Sequence, residues 1–368
     1  MFLRELQLQT FRNYSKQKVV FDQPKTILLG ANAQGKSNLL EAIQLLAMLK
    51  SFRVHRDQDL VQWHQSGAEI LGQCHRRYGS VELSLKLYPR HRRTMTINGV
   101  GVKKKDEFLG NLNAVLFSTL DLELIRGSPA YRRDWLDGVL VQLEPIYISL
   151  HQSYHRVLQQ RNTLLKNIRL GKMGYDREQM ALWNQQLVTL GSKVILRRRK
   201  LIDRLFPLAT KWHRSISHQE DLGLTYLPRF PCGEDLATIQ AAFYEHLQHR
   251  SVAEQQQGTS LVGPHRDDLG LQINGQSAKE YGSQGQQRTL VLALKLAELE
   301  LITTIIQEPP LLLLDDVLAE LDPQRQEALL GAVQSPIQTI ITTTHLTNFN
   351  SQWLDCAQIL TIEGGKII

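Results

Sequence analysis

The segment Gly30-Ala31-Asn32-Ala33-Gln34-Gly35-Lys36-Ser37 fits the pattern G-x-x-x-x-G-K-[ST]. It stands between an apolar run, Thr26-Ile27-Leu28-Leu29, and a stretch of helical periodicity from Lys36 to about Leu49. That context commits this part of the chain to a strand, a glycine-rich turn and a helix. The glycines let backbone N–H groups turn inward on phosphates. The Lys36 ammonium can reach the β- and γ-phosphates, and the Ser37 hydroxyl can ligate Mg²⁺ at the positive end of the helix.

Such a loop needs an acid at the end of a buried strand to hold the metal. Pro310-Leu311-Leu312-Leu313-Leu314-Asp315-Asp316 supplies two. Asp315 suits the metal, directly or through water, and Asp316 stands where a carboxylate could orient and deprotonate an attacking water. Lys36 and Asp315 are 279 residues apart. A nucleotide site that joins them must therefore be assembled from both ends of the chain.

A third element, Tyr281-Gly282-Ser283-Gln284-Gly285-Gln286-Gln287-Arg288, opens a strongly apolar helix. Small residues before a helix start make another anion-binding nest, yet one phosphate cradle is already present. The economical expectation is that Ser283 and Gly285 close over nucleotide bound to a second copy, burying it between two subunits.

The segments around these motifs divide in the same way. Up to about residue 117 the pattern is mostly that of strands, with Leu3-Leu6-Leu8, Val19-Val20-Phe21 and a period of two at Val81, Leu83, Leu85 and Leu87. Helical spacing takes over from about Ser128 to His218, through Trp135, Val139, Leu143, Tyr147, Leu158, Leu187, Leu190, Val194 and Leu201. Gln255-Gln256-Gln257-Gly258 reads as a loop, after which strands at Leu269–Ile273, Leu311–Leu314, Thr339–Thr342 and Ile359–Ile362 alternate with helices. The expected fold is α/β: residues 1–117 and 245–368 form one lobe, and a mostly helical insert, 118–244, forms a second.

Charge is concentrated. The formal net charge is +7, but His151 to Lys200 holds eleven Lys/Arg against Asp176 and Glu178, and Arg76 to Lys105 holds nine against Glu82. Leu296 to Ile368 is acidic, with ten acids and two bases. The basic surfaces attract polyanions, and Arg92, Arg93, Lys103, Lys104, Lys105, Arg197, Arg198, Arg199 and Lys200 are the candidates to meet nucleic-acid phosphates. No apolar run approaches the ~18 residues of a membrane span, and the N-terminus lacks the pattern of a signal peptide. A cytoplasmic, non-membrane protein is expected, with Cys74, Cys232 and Cys356 reduced and buried.

The order of phosphate loop, Ser-Gln-Gly signature, Asp315-Asp316, Ala319-Glu320-Leu321-Asp322 and His345 resembles the ABC-type ATPase heads that include the SMC chromosome proteins. Further segments narrow the likeness. They are Phe11-Arg12-Asn13-Tyr14, Ser51-Phe52-Arg53, Gly127-Ser128-Pro129 with Arg132-Arg133, Gln160-Arg161-Asn162 and Gly263-Pro264-His265-Arg266-Asp267-Asp268-Leu269. Over nearly the whole length they resemble the RecF family of bacterial recombination mediators.

That resemblance implies an ABC-type P-loop ATPase head built from both ends of the chain. It implies ATP and Mg²⁺ as cofactors, an ATP-dependent homodimer, and weak hydrolysis stimulated by DNA. The DNA would be single-stranded, double-stranded or a gap junction, the partners RecR and RecO, and the task helping to load RecA on gaps during repair and replication restart. Residue by residue, it implies nucleotide contacts from Gly30 through Ser37, Asn38, Arg12 and Asn13, with Ser283, Gln284 and Gly285 acting in trans. Ser37 and Asp315 become the metal ligands and Lys36, Asp316 and His345 the catalytic set, with Asp322 at the dimer seam. Two departures stand out: Ser118-Thr119-Leu120-Asp121 lacks an expected Pro-acid pair, and Asp316 replaces the glutamate usual in ABC-type ATPases, which implies slow turnover. An ABC-type ATPase subunit that drives a transporter or another partner complex is the alternative, and a small-molecule kinase a third class, which leaves the signature unexplained.

Overall fold

A computed structural model describes residues 1–217, 220–332, 337–346, 349 and 351–368. The chain opens with an antiparallel pair, β1 (Phe2–Phe11) and β2 (Tyr14–Val20). The odd spacing of Leu3, Leu6 and Leu8 has a local cause: the register of β1 shifts between Leu3 and Glu5, and this irregularity puts all three side chains on the buried face. The buried strand β3 (Lys25–Leu29) then feeds the glycine-rich turn and α1 (Lys36–Met48).

Next come β4 (Ala68–Arg76), β5 (Gly79–Leu87), β6 (Thr94–Ile97) and β7 (Val100–Val102). They complete an antiparallel sheet in the order β2-β1-β4-β5-β6-β7. A short α2 (Lys105–Phe108) leads to β8 (Ala114–Ser118).

The helical part consists of α3 (Glu123–Arg126), α4 (Pro129–Leu143), α5 (Tyr147–Arg169) and the 41-residue α6 (Arg177–Ser217), followed by β9 (Leu222–Leu227) and α7 (Leu236–Gln257). The expected junctions lie inside elements: 117/118 within β8, and 244/245 within α7. Gln255-Gln256-Gln257 is not a loop but the last turn of α7. Gln is a good helix former, and the turn ends where Gly258 takes the left-handed cap at φ 68°.

β10 (Asp268–Ile273) pairs with β9 and with β11 (Gln276–Ser277) in a small separate sheet. Then follow α8 (Gln284–Ile306), β12 (Leu311–Asp315), α9 (Pro323–Ala332), β13 (Thr339–Thr343), α10 (Ser351–Asp355), β14 (Ala357–Glu363) and β15 (Lys366–Ile367). The central sheet runs β15-β14-β3-β13-β12-β8. β3, from the start of the chain, lies between β13 and β14, from its end, and pairs in parallel with both. The two ends are therefore interleaved strand by strand. β12 is buried along Leu311–Leu314, as expected for a parallel strand covered on both faces.

The Gln160-Arg161-Asn162 segment is a tie inside the helical part. Arg161 is buried, ion-paired with buried Glu254 at 2.6 Å and donating to Ser260 Oγ at 2.7 Å, while Asn162 Oδ1 accepts from Ser260 N at 2.7 Å. Of the cysteines only Cys74 is buried. Cys232 is half-buried and Cys356 exposed, the latter because it follows α10 at the surface.

Candidate nucleotide site

At the carboxyl ends of β3, β13 and β12, adjacent parallel strands release the chain into turns, the usual place for a ligand in an open α/β sheet. The turn after β3 needs its glycines for space. A Cβ on Gly30 would meet the Ile362 carbonyl oxygen at 2.4 Å, and Gly35, at φ 120°, faces Asn13 and the Tyr14 hydroxyl. Ala31, Asn32 and Ala33 are exposed at the tip, whereas Lys36 is buried, with Nζ donating to the carbonyls of Gly30 (2.7 Å) and Ala31 (2.9 Å).

Two other parts of the chain clamp this turn. Asn13 donates to the Gln34 carbonyl (2.9 Å) and accepts from Asn38 (2.9 Å), and the Tyr14 hydroxyl donates to the Gly35 carbonyl (3.0 Å). From the C-terminal hairpin, Gly365 N donates to the Gln34 carbonyl (2.9 Å) and Gly364 N to Gln34 Oε1 (2.7 Å). Arg12 turns to the helix behind the loop. Its Nε and one terminal nitrogen reach the buried Glu41 carboxylate on α1, each at 2.8 Å, and the other reaches the Asp59 carbonyl.

Ser37 Oγ donates to Asp315 Oδ1 at 2.7 Å, and Thr342 Oγ1 donates to the same oxygen at 3.0 Å. Burial raises the Asp315 pKa, against the lowering effect of the two hydroxyl donors, and neighbouring Asp316 adds to the rise. Asp316 sits in the left-handed region at φ 54°, its N–H donating to Thr342 Oγ1 at 2.9 Å. Thr342 thus bridges the acidic pair, a role that only its place near the end of the Thr339–Thr343 strand could have signalled. His345 follows β13 with its side chain exposed, in a turn closed by the Thr343 hydroxyl donating to its carbonyl at 2.8 Å.

The signature residues form a different surface. Ser283 caps α8 reciprocally with Gln286, and Ser283 and Gln284 are exposed. Arg325 donates to the Gly285 carbonyl (2.9 Å) and to Thr289 Oγ1 (2.8 Å), and pairs with Asp322. Gly285 and Asp322 are therefore parts of one surface. Among the described residues, no hydrogen bond joins Ser283–Gln286 to the 30–38 segment.

Ser118 and Asp121, at the departure from the expected Pro-acid pair, form a capping box after β8, with Asp121 accepting from Ser118 N at 2.6 Å. Of the basic candidates, Arg198 leaves the surface set. It is buried, held by Asp137 through two contacts of 2.8 Å and by the Pro264 carbonyl. Arg93 is engaged by Asp57, and Arg199 by the Gly233 carbonyl, whereas Arg92, Lys103, Lys104, Lys105 and Lys200 are exposed.

Residues 2–365 match the family model described as the RecF/RecN/SMC N terminal domain. The DNA replication and repair protein RecF of Cyanothece sp. (strain PCC 7425 / ATCC 29141) is 55% identical over 370 residues, covering 100% of this chain and 98% of that protein. The chain belongs to the RecF family. A second RecF, from Microcystis aeruginosa, is 54% identical and is covered end to end, 100% of both chains. A solved structure of the recombination mediator RecF with ATP, of the RecFOR pathway, superimposes with a TM-score of 0.92 at 32% identity, covering 100% of this chain and 97% of that one. An SMC head bound to a ScpA winged-helix domain aligns at a TM-score of 0.57 with 15% identity, covering 100% and 97%, which shows the shared head fold. The ABC-type ATPase head expected from the motifs is thus present. The RecF reading stands over that of a transporter-driving ATPase, and no helix among the described residues is long and apolar enough to cross a membrane.

Proposed function

We propose that this RecF-family chain is an ATP-gated DNA clamp of recombinational repair, acting in the cytoplasm. The observation that carries the reading is the separation of two half-sites on one subunit. The 30–38 turn with Asp315 is built and clamped, while the Ser283–Gly285 surface, exposed at Ser283 and Gln284, makes no hydrogen bond to it among the described residues. Two copies placed head to tail would join each turn to the other's signature, with ATP between them.

Within each half-site the residues fit Mg-ATP. The backbone of Gly30–Gly35 cradles phosphates, Asn38 and Asn13 flank the nucleotide while Arg12 braces α1 behind the loop through Glu41, and Lys36 exchanges its two carbonyl contacts for phosphate oxygens. Ser37 and Asp315 bring two oxygens to one point, a set that would hold Mg²⁺. The bound metal ion supplies charge neutralisation of the phosphates. Asp316 orients and deprotonates the attacking water, its side chain directed by the left-handed backbone, and His345 senses the γ-phosphate. Ser283, Gln284 and Gly285 close the site in trans, with Asp322 at the seam.

Closing the dimer brings two copies of each basic surface together on DNA, and a gap junction, with RecR and RecO as partners, fits the RecFOR pathway of the solved relative. The test is fluorescence anisotropy of a labelled gapped duplex, with and without Mg-ATP, for wild type and Ser283→Arg at two salt concentrations. Binding that depends on ATP and salt and is lost in the variant supports the clamp; binding indifferent to ATP overturns it.

A further inference from the structure

Trp63 is 87% exposed, the reverse of the average tryptophan, and makes no hydrogen bond among the described residues. The turn that carries it is nevertheless firmly held. Thr10 binds both ends: its carbonyl accepts from Gln62 N at 2.8 Å, and its hydroxyl donates to the Gly67 carbonyl at 2.6 Å. Between them Gln65 N donates to the Gln62 carbonyl (3.1 Å), and His64 takes the left-handed conformation at φ 66°. An aromatic plane on a rigid turn in water loses little entropy on binding, which is the requirement for a stacking platform.

The surroundings are basic. Gly67 packs so closely on the loop after β5 that a Cβ there would lie 3.1 Å from the Tyr88 ring. That loop runs Tyr88-Pro89-Arg90-His91-Arg92-Arg93, and Arg93 anchors it to the Trp63 side through Asp57. Residues 53–63 and 88–93 together hold five arginines against two aspartates. Arg56, Arg90 and Arg92 are exposed and have no ion pair among the described residues, while one of the two aspartates, Asp57, is already neutralised by Arg93. The patch also adjoins the nucleotide site. Gln62 donates to Ser15 Oγ (3.2 Å), two residues beyond the Asn13 that holds Gln34.

We propose that Trp63, on its Thr10-bound turn beside Arg56, Arg90 and Arg92, stacks on the unpaired bases of single-stranded DNA while the arginines hold the adjoining phosphates. The inference rests on the DNA-binding reading and assigns to it the single-stranded side of a gap. Stacking on an aromatic side chain tolerates any base, and the arginines contribute the salt-dependent part.

The test measures binding of wild type, Trp63→Ala, Trp63→Phe and Arg90→Ala/Arg92→Ala to a labelled oligothymidylate, a gapped duplex and a blunt duplex, all with Mg-ATP. ATP affinity is measured in parallel. The expected result is a loss of about tenfold for Trp63→Ala on the first two probes, little change on blunt duplex, and partial retention in Trp63→Phe. The arginine variant lowers the salt slope by roughly one to two. Equal binding of wild type and Trp63→Ala to oligothymidylate overturns the proposal. So does a loss of ATP affinity that accounts for the DNA defect, which would assign Trp63 to the bound nucleotide. If wild type binds none of the three probes, the DNA-binding reading itself fails, an outcome distinct from both.

Discussion

Ser37 Oγ and Asp315 Oδ1, 278 positions apart in the chain, meet at 2.7 Å where α1 begins and β12 ends. Everything between them returns the chain to this point. The interleaving of β3 between β13 and β14 makes the contact a property of the sheet rather than of a flexible loop.

Asp315 carries a cost that follows from its position. Its pKa is raised chiefly by burial, so the protonated form is favoured in the folded state: that stability is full below the ordinary carboxylate pKa of ~3.9 and is lost as pH rises past the raised value. At neutral pH the charge is held at a cost. Asp315→Asn is therefore expected to raise the melting temperature of the nucleotide-free protein slightly, by ~1 kcal/mol or less in stability, and to abolish the further rise on adding Mg-ATP. Thermal unfolding with and without Mg-ATP checks both halves; a variant less stable than wild type without nucleotide would contradict the first.

Ser283→Arg and Ser283→Ala separate two roles of one residue. Both remove the hydroxyl that accepts from Gln286 N, so each is expected to lose ~1 kcal/mol as a helix cap. Only the arginine places bulk and charge on the exposed surface next to Gly285. Light scattering after size exclusion with Mg-ATP should show Ser283→Ala still dimeric and Ser283→Arg monomeric, with ATP affinity retained in both.

Much of this site was legible because its chemistry is local. A phosphate loop must have its glycines, lysine and serine within eight positions, and a metal-binding acid must end a buried strand. What escaped depended on contacts between distant segments. Thr342 bridges Asp315 and Asp316 only because β13 lies beside β12. Gly364 and Gly365 clamp Gln34 only because the last hairpin lies beside β3. Arg197-Arg198-Arg199-Lys200 read as one basic surface, but four consecutive helical residues cannot all face water, and the inward one, Arg198, finds Asp137 on another helix. β1 hid its bulge because a strand's period is visible only where its pairing is regular.

The Arg161–Glu254 pair tests whether Gln160-Arg161-Asn162 is architecture. Both side chains are almost wholly buried, and Glu254 also accepts from Leu261 N at 2.7 Å. Removing one partner leaves a buried charge alone, so Arg161→Ala should cost ~3–5 kcal/mol, read as a lower urea midpoint. The double variant Arg161→Met/Glu254→Met should recover part of that loss. If Arg161→Ala unfolds at the wild-type midpoint, the segment's role lies elsewhere.

His265 gives the helical part an acid sensitivity of known sign. Its Nδ1 accepts from the Tyr154 hydroxyl at 2.6 Å and its Nε2 donates to the Ser260 carbonyl at 3.3 Å, an arrangement that holds the neutral ring. Burial lowers its pKa to about 4, with Arg266, His155 and Arg133 adding to the shift. The stability from the neutral form is full above the ordinary histidine value of ~6.5 and is lost as pH falls toward 4, by at most ~3 kcal/mol. Asp121 acts in the opposite direction over part of that range. Burial raises its pKa to about 6, so its contribution grows as pH falls from about 6 to the ordinary carboxylate value. The difference between wild type and His265→Asn isolates the histidine. Urea midpoints should converge as pH is lowered from 7.5 to 5, because only the wild type takes up a proton at this site on unfolding, so falling pH favours its unfolded state; parallel curves would exclude His265 as the titrating group.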